Sequence, residues 1–250
     1  MPHDKQYAQH HGKFALGAPL PESFNLAEYC PNAYNQLDLG SCTANAGAAA
    51  IEILMRIQGE RVVTPSRLFL YYNERAIDGD VGQDGGSTLR TCIQSVNQNG
   101  VCDEQYWPYI VENFAQRPPN QAYTQARQHQ GVKSFVVAQS EYDIKHCLAV
   151  AKRPILFGMQ VYDSFESQQV ANTGVMPMPT PNSQCLGGHA ILIIGYLKDY
   201  FIVRNSWGTD WGCDANGGHN SSLRGYFLCP KEFLLNPAYC SDFWCLEQIV

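Results

Sequence analysis

Gln36-Leu-Asp-Leu-Gly40-Ser41-Cys42 leads into the longest helical pattern of this chain, and the rest of the fold is read outward from that junction. Over 43–58 the residues are good helix formers. Ala44, Ala48, Ile51 and Met55 recur at helical spacing, and Gly59 stops the run. A cysteine just before such a helix has its sulfur at the positive end of the dipole, where a thiolate is stabilised and the thiol pKa falls. Gly40 permits a tight turn that can present the next residues to a cleft. Taken singly, Cys42 reads better as a small buried hydrophobe or half of a disulfide.

Two further helices are predicted in the first half. One covers 66–76, after Pro65; another is capped by Ser87, runs towards Asn99 and stops at Gly100. The second half changes character. Stretches 132–138, 155–161, 190–197, 200–204 and 226–229 are rich in Val, Ile, Phe and Tyr between turn residues and read as strands. A helix capped by Ser140 and ending before Pro154 separates the first two. Pro118 and Pro119, within 117–121, mark the expected crossing between the halves. The pattern predicts an α+β protein, a helical lobe followed by a β-rich one, with a cleft between them where ligands bind.

Composition narrows the function. The 250 residues, 45% hydrophobic and 16% charged, suit a globular chain with a sizeable core. A net charge of −6 with no basic run argues against nucleic-acid binding. No apolar stretch approaches the roughly 20 residues of a membrane span. Residues 1–20 lack the apolar centre of a secretory signal peptide. The ten cysteines favour disulfides and an oxidising compartment over structural zinc, since no C-x-x-C pair is present. Asn220-Ser221-Ser222 is a glycosylation sequon, meaningful only on a secretory route.

Two more segments carry chemistry. His189 stands in Leu186-Gly-Gly-His189-Ala-Ile-Leu-Ile-Ile-Gly-Tyr196, opening an apolar strand behind two glycines that allow close approach. On its own it reads equally well as a structural histidine. Asn205 ends the strand before Ser206-Trp207-Gly208-Thr-Asp-Trp211-Gly212. Its amide oxygen can accept from one imidazole nitrogen and leave the other aimed at a thiol, with tryptophan covering the bond from water.

Cysteine, histidine and asparagine in this order resemble the papain family of cysteine peptidases. The histidine follows Cys42 by 147 residues (189 − 42) and the asparagine by 163 (205 − 42), against about 130–150 in the family pattern, so a modest insertion is implied. The resemblance covers nearly all of the chain after residue 20. Leu20-Pro-Glu-Ser23 is similar to a mature start, and Asp84-Gly85-Gly86 to the segment whose backbone binds extended substrate. Gly100-Val-Cys-Asp-Glu104, Tyr106-Trp-Pro-Tyr109, Gly225-Tyr-Phe227 and Ser241-Asp-Phe-Trp244 follow the same pattern, the last as in microbial and viral relatives. Leu39 replaces the usual cysteine three residues before the nucleophile, so that disulfide is absent. Thr43 replaces the usual tryptophan, Gly188 stands where a polar side chain is common, and the long inhibitory pro-segment is missing.

The resemblance implies a papain-like two-lobe fold over 21–250, helical to about 120 and then a barrel-like β lobe, after an extension 1–20 that would lie across the cleft as a short inhibitor. It implies an endopeptidase in which Cys42 attacks, His189 moves the proton, Asn205 orients His189 and Gln36 helps form the oxyanion hole. Gly85, Gly86, Gly188, Ala190 and Trp207 would contact extended peptide substrates, with Gly158 at the border of the main pocket. No metal or organic cofactor is expected, no nucleic-acid or membrane partner, and a monomer is. Two rival readings use the same residues: a transamidase acting on another amide, and a binding protein that keeps the fold without turnover. The intact set of four argues against the second.

Overall fold

The computed structural model describes residues 5–10, 19–219 and 223–249. Its helices are α1 (Tyr7–His10), α2 (Cys42–Gln58), α3 (Arg67–Asp78), α4 (Leu89–Asn99), α5 (Asn120–Ala126), α6 (Glu141–Ala149), α7 (Gln168–Thr173) and α8 (Lys231–Leu234). The strands are β1 (Phe24–Asn25), β2 (Val132–Val136), β3 (Ile155–Tyr162), β4 (Cys185–Tyr196), β5 (Tyr200–Arg204), β6 (Cys213–Asp214), β7 (Arg224–Pro230) and β8 (Cys240–Ile249). The two-part α+β arrangement is as the sequence predicts.

The helical lobe is held by α2, whose residues 43–55 are all buried. Its small side chains let neighbours come close: a Cβ on Gly47 would lie 2.5 Å from the Cys92 sulfur of α4. Ile51, Ile53, Leu54 and Met55 are sealed from water, each such side chain contributing about 1.5–3 kcal/mol. Helix α2 ends at Gly59 with φ +68, and α3 at Gly79 with φ +82, the left-handed closure that glycine adopts at least cost. Ser66 and Ser140 cap α3 and α6 by accepting from the N–H groups of Phe69 and Asp143.

Thr88, not Ser87, caps α4. Its side chain accepts from Thr91 N at 3.1 Å, while the Ser87 hydroxyl donates to Asp78 at 2.7 Å and so ties α4 to α3. The crossing between lobes also lies later than 117–121. Pro119 starts α5, and Ala122 and Ala126 pack with Phe69 in the helical lobe, so the chain turns into the sheet only after α5, at Gly131 (φ +100).

The β lobe is an antiparallel sheet in the order β2-β8-β3-β4-β5-β7-β6, with β1 added to β4. Strand β8, which the sequence marked only through Ser241–Trp244, lies inside the sheet between β2 and β3. Strand β4 begins five residues before the apolar run at 190. Cys185 to Gly188 are exposed and show no apolar run; their backbone pairs with β3, from Tyr162 to Gln160. Helix α2 packs against β4, and Cys42 at the start of α2 and His189 of β4 line one cleft.

The expected disulfides are not formed: all ten cysteines are free thiols. Seven are buried and serve as small core residues, several donating weakly to carbonyls, as Cys213 does to Tyr226 O at 3.3 Å. Of residues 1–20, the described stretch 5–10 docks on the β2 edge. Val136 N donates to Lys5 O at 2.9 Å, and Tyr7 is buried with its hydroxyl 3.2 Å from His146 Nδ1. None of these residues lines the cleft. The rest of the expected cleft-covering segment, and Asn220-Ser221-Ser222, lie outside the described residues.

Candidate active site

Cys42 is the first residue of α2, and Ser41 precedes it with no side-chain cap of its own. The Ser41 hydroxyl instead meets Tyr109 Oη at 2.6 Å, and Tyr109 donates onward to Gln36 O at 2.8 Å. Asp84 clamps the turn before the cysteine: both its carboxylate oxygens lie 3.0 Å from Gly40 N, and Tyr71 donates to one of them. A Cβ on Gly40 would sit 3.2 Å from Asp84 Oδ1, so this contact favours glycine. Buried Arg75 holds the Asp84 loop by donating to Val81 O, Gln83 O and Phe114 O.

Gln36 is tied on three sides. Its backbone N–H donates to Ser206 O at 2.8 Å and its Nε2 to Leu39 O at 2.9 Å, and its Oε1 accepts from Ser206 Oγ at 2.5 Å. An amide nitrogen has two hydrogens. With one committed to Leu39, the second remains for a ligand in the cleft that Gln36 lines.

His189 is 7% exposed, and its Nε2 lies 2.8 Å from Asn205 Oδ1. An amide oxygen only accepts, so Nε2 must carry the hydrogen and Nδ1 is left as the free nitrogen. Asn205 Oδ1 also accepts from Ser206 N at 2.9 Å, which fixes the flip of the amide. Trp207 stacks on the imidazole at 5.4 Å and 25°, and it packs edge-on against Trp211. It therefore covers the histidine, half-buried, outside the residues that line the cleft.

A cleft of about 540 Å³ brings Gln36, Cys42, Gly85, Gly86, Gly158, Gly188, His189 and Ala190 to one surface, from both lobes. Burial pushes the Cys42 thiol up; the N–H groups of Ala190, Thr43 and Cys42 itself oppose it by stabilising the thiolate. Burial pushes His189 down, countered by its bond to Asn205. Each group alone thus favours its neutral form. A proton passed from sulfur to Nδ1 creates two charges that stabilise each other beside a helix N-terminus.

The papain family cysteine protease profile matches residues 20–221. The chain belongs to that family. Xylellain, a cysteine protease from Xylella fastidiosa, shares its fold with a TM-score of 0.86 at 34% identity, over 99% of this chain and 92% of xylellain. A peptidase C1-like protein of Acanthamoeba polyphaga mimivirus is 38% identical over 232 residues, 88% of this chain and 71% of the viral protein. Fruit bromelain of Ananas comosus is 31% identical over 218 residues, 82% of this chain but only 56% of bromelain. The papain-family assignment makes this chain a cysteine-type peptidase, a hydrolase of peptide and protein substrates.

Sequence reasoning missed Ser206, Asp84 and Tyr109 as supports of the site, although Asp84 and Tyr109 lie within segments that resembled the family. It also missed Glu74. This carboxyl is sealed beneath the start of α2, accepts from Thr43 Oγ1 at 2.6 Å, and leaves Oε1 unpartnered among the described residues. Thr43, where the family has tryptophan, thus has a polar partner. Burial pushes Glu74 up to about 7. Because the folded value lies above the unfolded one, the neutral acid stabilises the fold at low pH, and stability falls as pH rises from about 4.5 to about 7. Glu74→Gln keeps an acceptor for Thr43 and removes the charge. It is expected to be more stable than the wild type at pH 8, by on the order of 3 kcal/mol, with the difference vanishing near pH 4. Urea unfolding at the two pH values measures this.

Proposed function

We propose that this papain-family chain is an endopeptidase that cleaves extended peptide through a thioester, with Cys42 as nucleophile, His189 as proton carrier, Asn205 as the group orienting it, and Gln36 as an oxyanion donor. The observation that carries the reading is the His189–Asn205 bond at 2.8 Å, which leaves Nδ1 as the nitrogen available to the thiol in the cleft that both line. In this mechanism His189 Nδ1 takes the Cys42 proton, and sulfur attacks the scissile carbonyl carbon. The carbonyl oxygen gains charge against Gln36 Nε2–H and the Cys42 backbone N–H. The tetrahedral centre collapses to a thioester as His189 returns the proton to the leaving amine. Water, deprotonated by His189, then releases the acid.

The cleft is open to extended chain, and Gly85 and Gly86 can offer backbone groups to it. Gly188 and Ala190 leave room beside the histidine. All four reacting or orienting residues come from one chain, which supports action as a monomer. We take 21–250 as the peptidase unit. The net charge of −6 supports a function without nucleic acid.

An irreversible thiol-directed epoxide tests the site. Peptide mapping is expected to find one equivalent on Cys42 alone among ten free thiols, with proteolysis lost in proportion. Labelling spread over several cysteines would remove Cys42 from the proposed role. Labelling at Cys42 without peptide cleavage, but with transfer to an added amine, would point to transamidation.

A further inference from the structure

Among the described residues, those lining the cleft include two carboxylates, Asp84 and Asp242, and no lysine or arginine. The two acids are not equivalent. Asp84 is spent on Gly40 N and Tyr71 Oη, as part of the turn that carries Cys42. Asp242 is exposed, and only its Oδ1 is engaged, accepting from Trp244 Nε1 at 2.7 Å. Its Oδ2 has no partner among the described residues.

Local structure sets the direction of this carboxylate. On β3, Gly158 pairs with Ser241 and Leu156 with Trp244, so Asp242 and Phe243 together face Phe157. That is a β-bulge, the device by which a strand re-aims a side chain. Asp242 takes φ +60, a conformation aspartate tolerates better than most residues. Phe243 turns inward and stacks on Phe157 at 5.3 Å and 14°, while Trp244 is buried and holds Oδ1. Asp242 is the residue left at the cleft.

Its distance from the reacting groups fits a substrate side chain. Ala190, beside His189, pairs with Gly158, and Gly158 with Ser241. Two strand spacings put the Ser241 backbone about 10 Å from that of Ala190. The floor between them is small: a Cβ on Gly158 would only just touch Ser241 O, at 3.6 Å. Met159 and Tyr239 add apolar surface for an alkyl stem. Arg90 lies over the Trp244 ring at 5.1 Å and does not line the cleft.

We propose that Asp242 is a specificity-determining residue that makes this peptidase select a lysine or arginine side chain at one of the two positions preceding the scissile bond. The inference rests on the endopeptidase reading above. The basic group donates to Oδ2 while its methylenes lie along the Gly158 floor, and opposite charge at a partly open site strengthens binding.

The test is a fluorogenic peptide series in which each of those two positions carries arginine, lysine, leucine or glutamate, assayed on the full chain calibrated by Cys42 titration. For the wild type, kcat/KM for the best basic peptide is expected to exceed that of its leucine counterpart about tenfold, the size of one charge-assisted hydrogen bond partly open to water. Asp242→Asn keeps an acceptor for Trp244 and is expected to bring that ratio close to one, chiefly through KM. In the wild type alone, the ratio is expected to fall as ionic strength rises from about 0.01 to 1 M, a readout independent of any variant's folding. A ratio near one in the wild type, or one unchanged in Asp242→Asn, overturns the selector and leaves the peptidase intact. No cleavage of any peptide by titratable enzyme overturns both.

Discussion

His189→Ala is expected to lower kcat by about 10⁴-fold or more, since removing one member of a nucleophile–base unit costs nearly as much as removing the whole. The structure gives the reason. Burial already pushes the Cys42 thiol up, so without an imidazole to take the proton little thiolate forms at neutral pH. The leaving amine also loses its proton donor. The residual rate should come from the oxyanion donors and from binding alone. Stopped-flow alkylation of Cys42 separates the two losses. In the variant, the alkylation rate should keep rising with pH into the range of an unassisted buried thiol, while the wild type should react well below it. Retention of kcat within tenfold would assign the proton transfer to another group.

Gln36→Ala is expected to reduce kcat by about 10²–10³-fold with KM little changed, the effect of losing one donor to charge that develops only in the transition state. The hydrogen bonds of Gln36 require a control. Its side chain also accepts from Ser206 Oγ and donates to Leu39 O, so alanine leaves both partners without it and loosens the loop before Cys42. Gln36→Glu retains the acceptor for Ser206 and lacks the donor. If the donor is what matters, the glutamate variant should be at least as slow as the alanine variant even though it keeps the Ser206 bond. A glutamate variant with near wild-type turnover would reduce Gln36 to a support of the loop.

The same contrast between local signal and long-range contact explains what was legible in the residues. Helix α2, its glycine stop, the helix after Pro65, the Ser140 cap, and the apolar parts of β3, β4 and β5 follow from periodicity and capping, which act over one or two turns of chain. Helix α5 did not, because in its short run only Ala122 and Ala126 are fully buried, with Tyr123 half-buried against Phe69. The exposed start of β4 and the interior strand β8 were missed for a related reason. They are held by main-chain pairing with β3 rather than by an alternation that can be seen in isolation. Cysteine content misled, because thiols that fill a core and thiols that form bridges have the same composition.

Within the site, the sequence by itself determined that Cys42 begins a helix, that His189 opens an apolar strand, and that these and Asn205 stand in the order of the papain family. Their chemistry depends on residue type and helix polarity, both of which are local. Only the tertiary structure decided which nitrogen of His189 is free, since that follows from Asn205 Oδ1 lying 2.8 Å from Nε2. It also decided that Trp207 stacks on the histidine, that Glu74 lies sealed beneath Thr43, and that a bulge leaves Asp242 at the cleft. Each of these depends on burial and on contacts between elements far apart in the chain, where desolvation and hydrogen-bond geometry set the state of a group and residue identity alone does not.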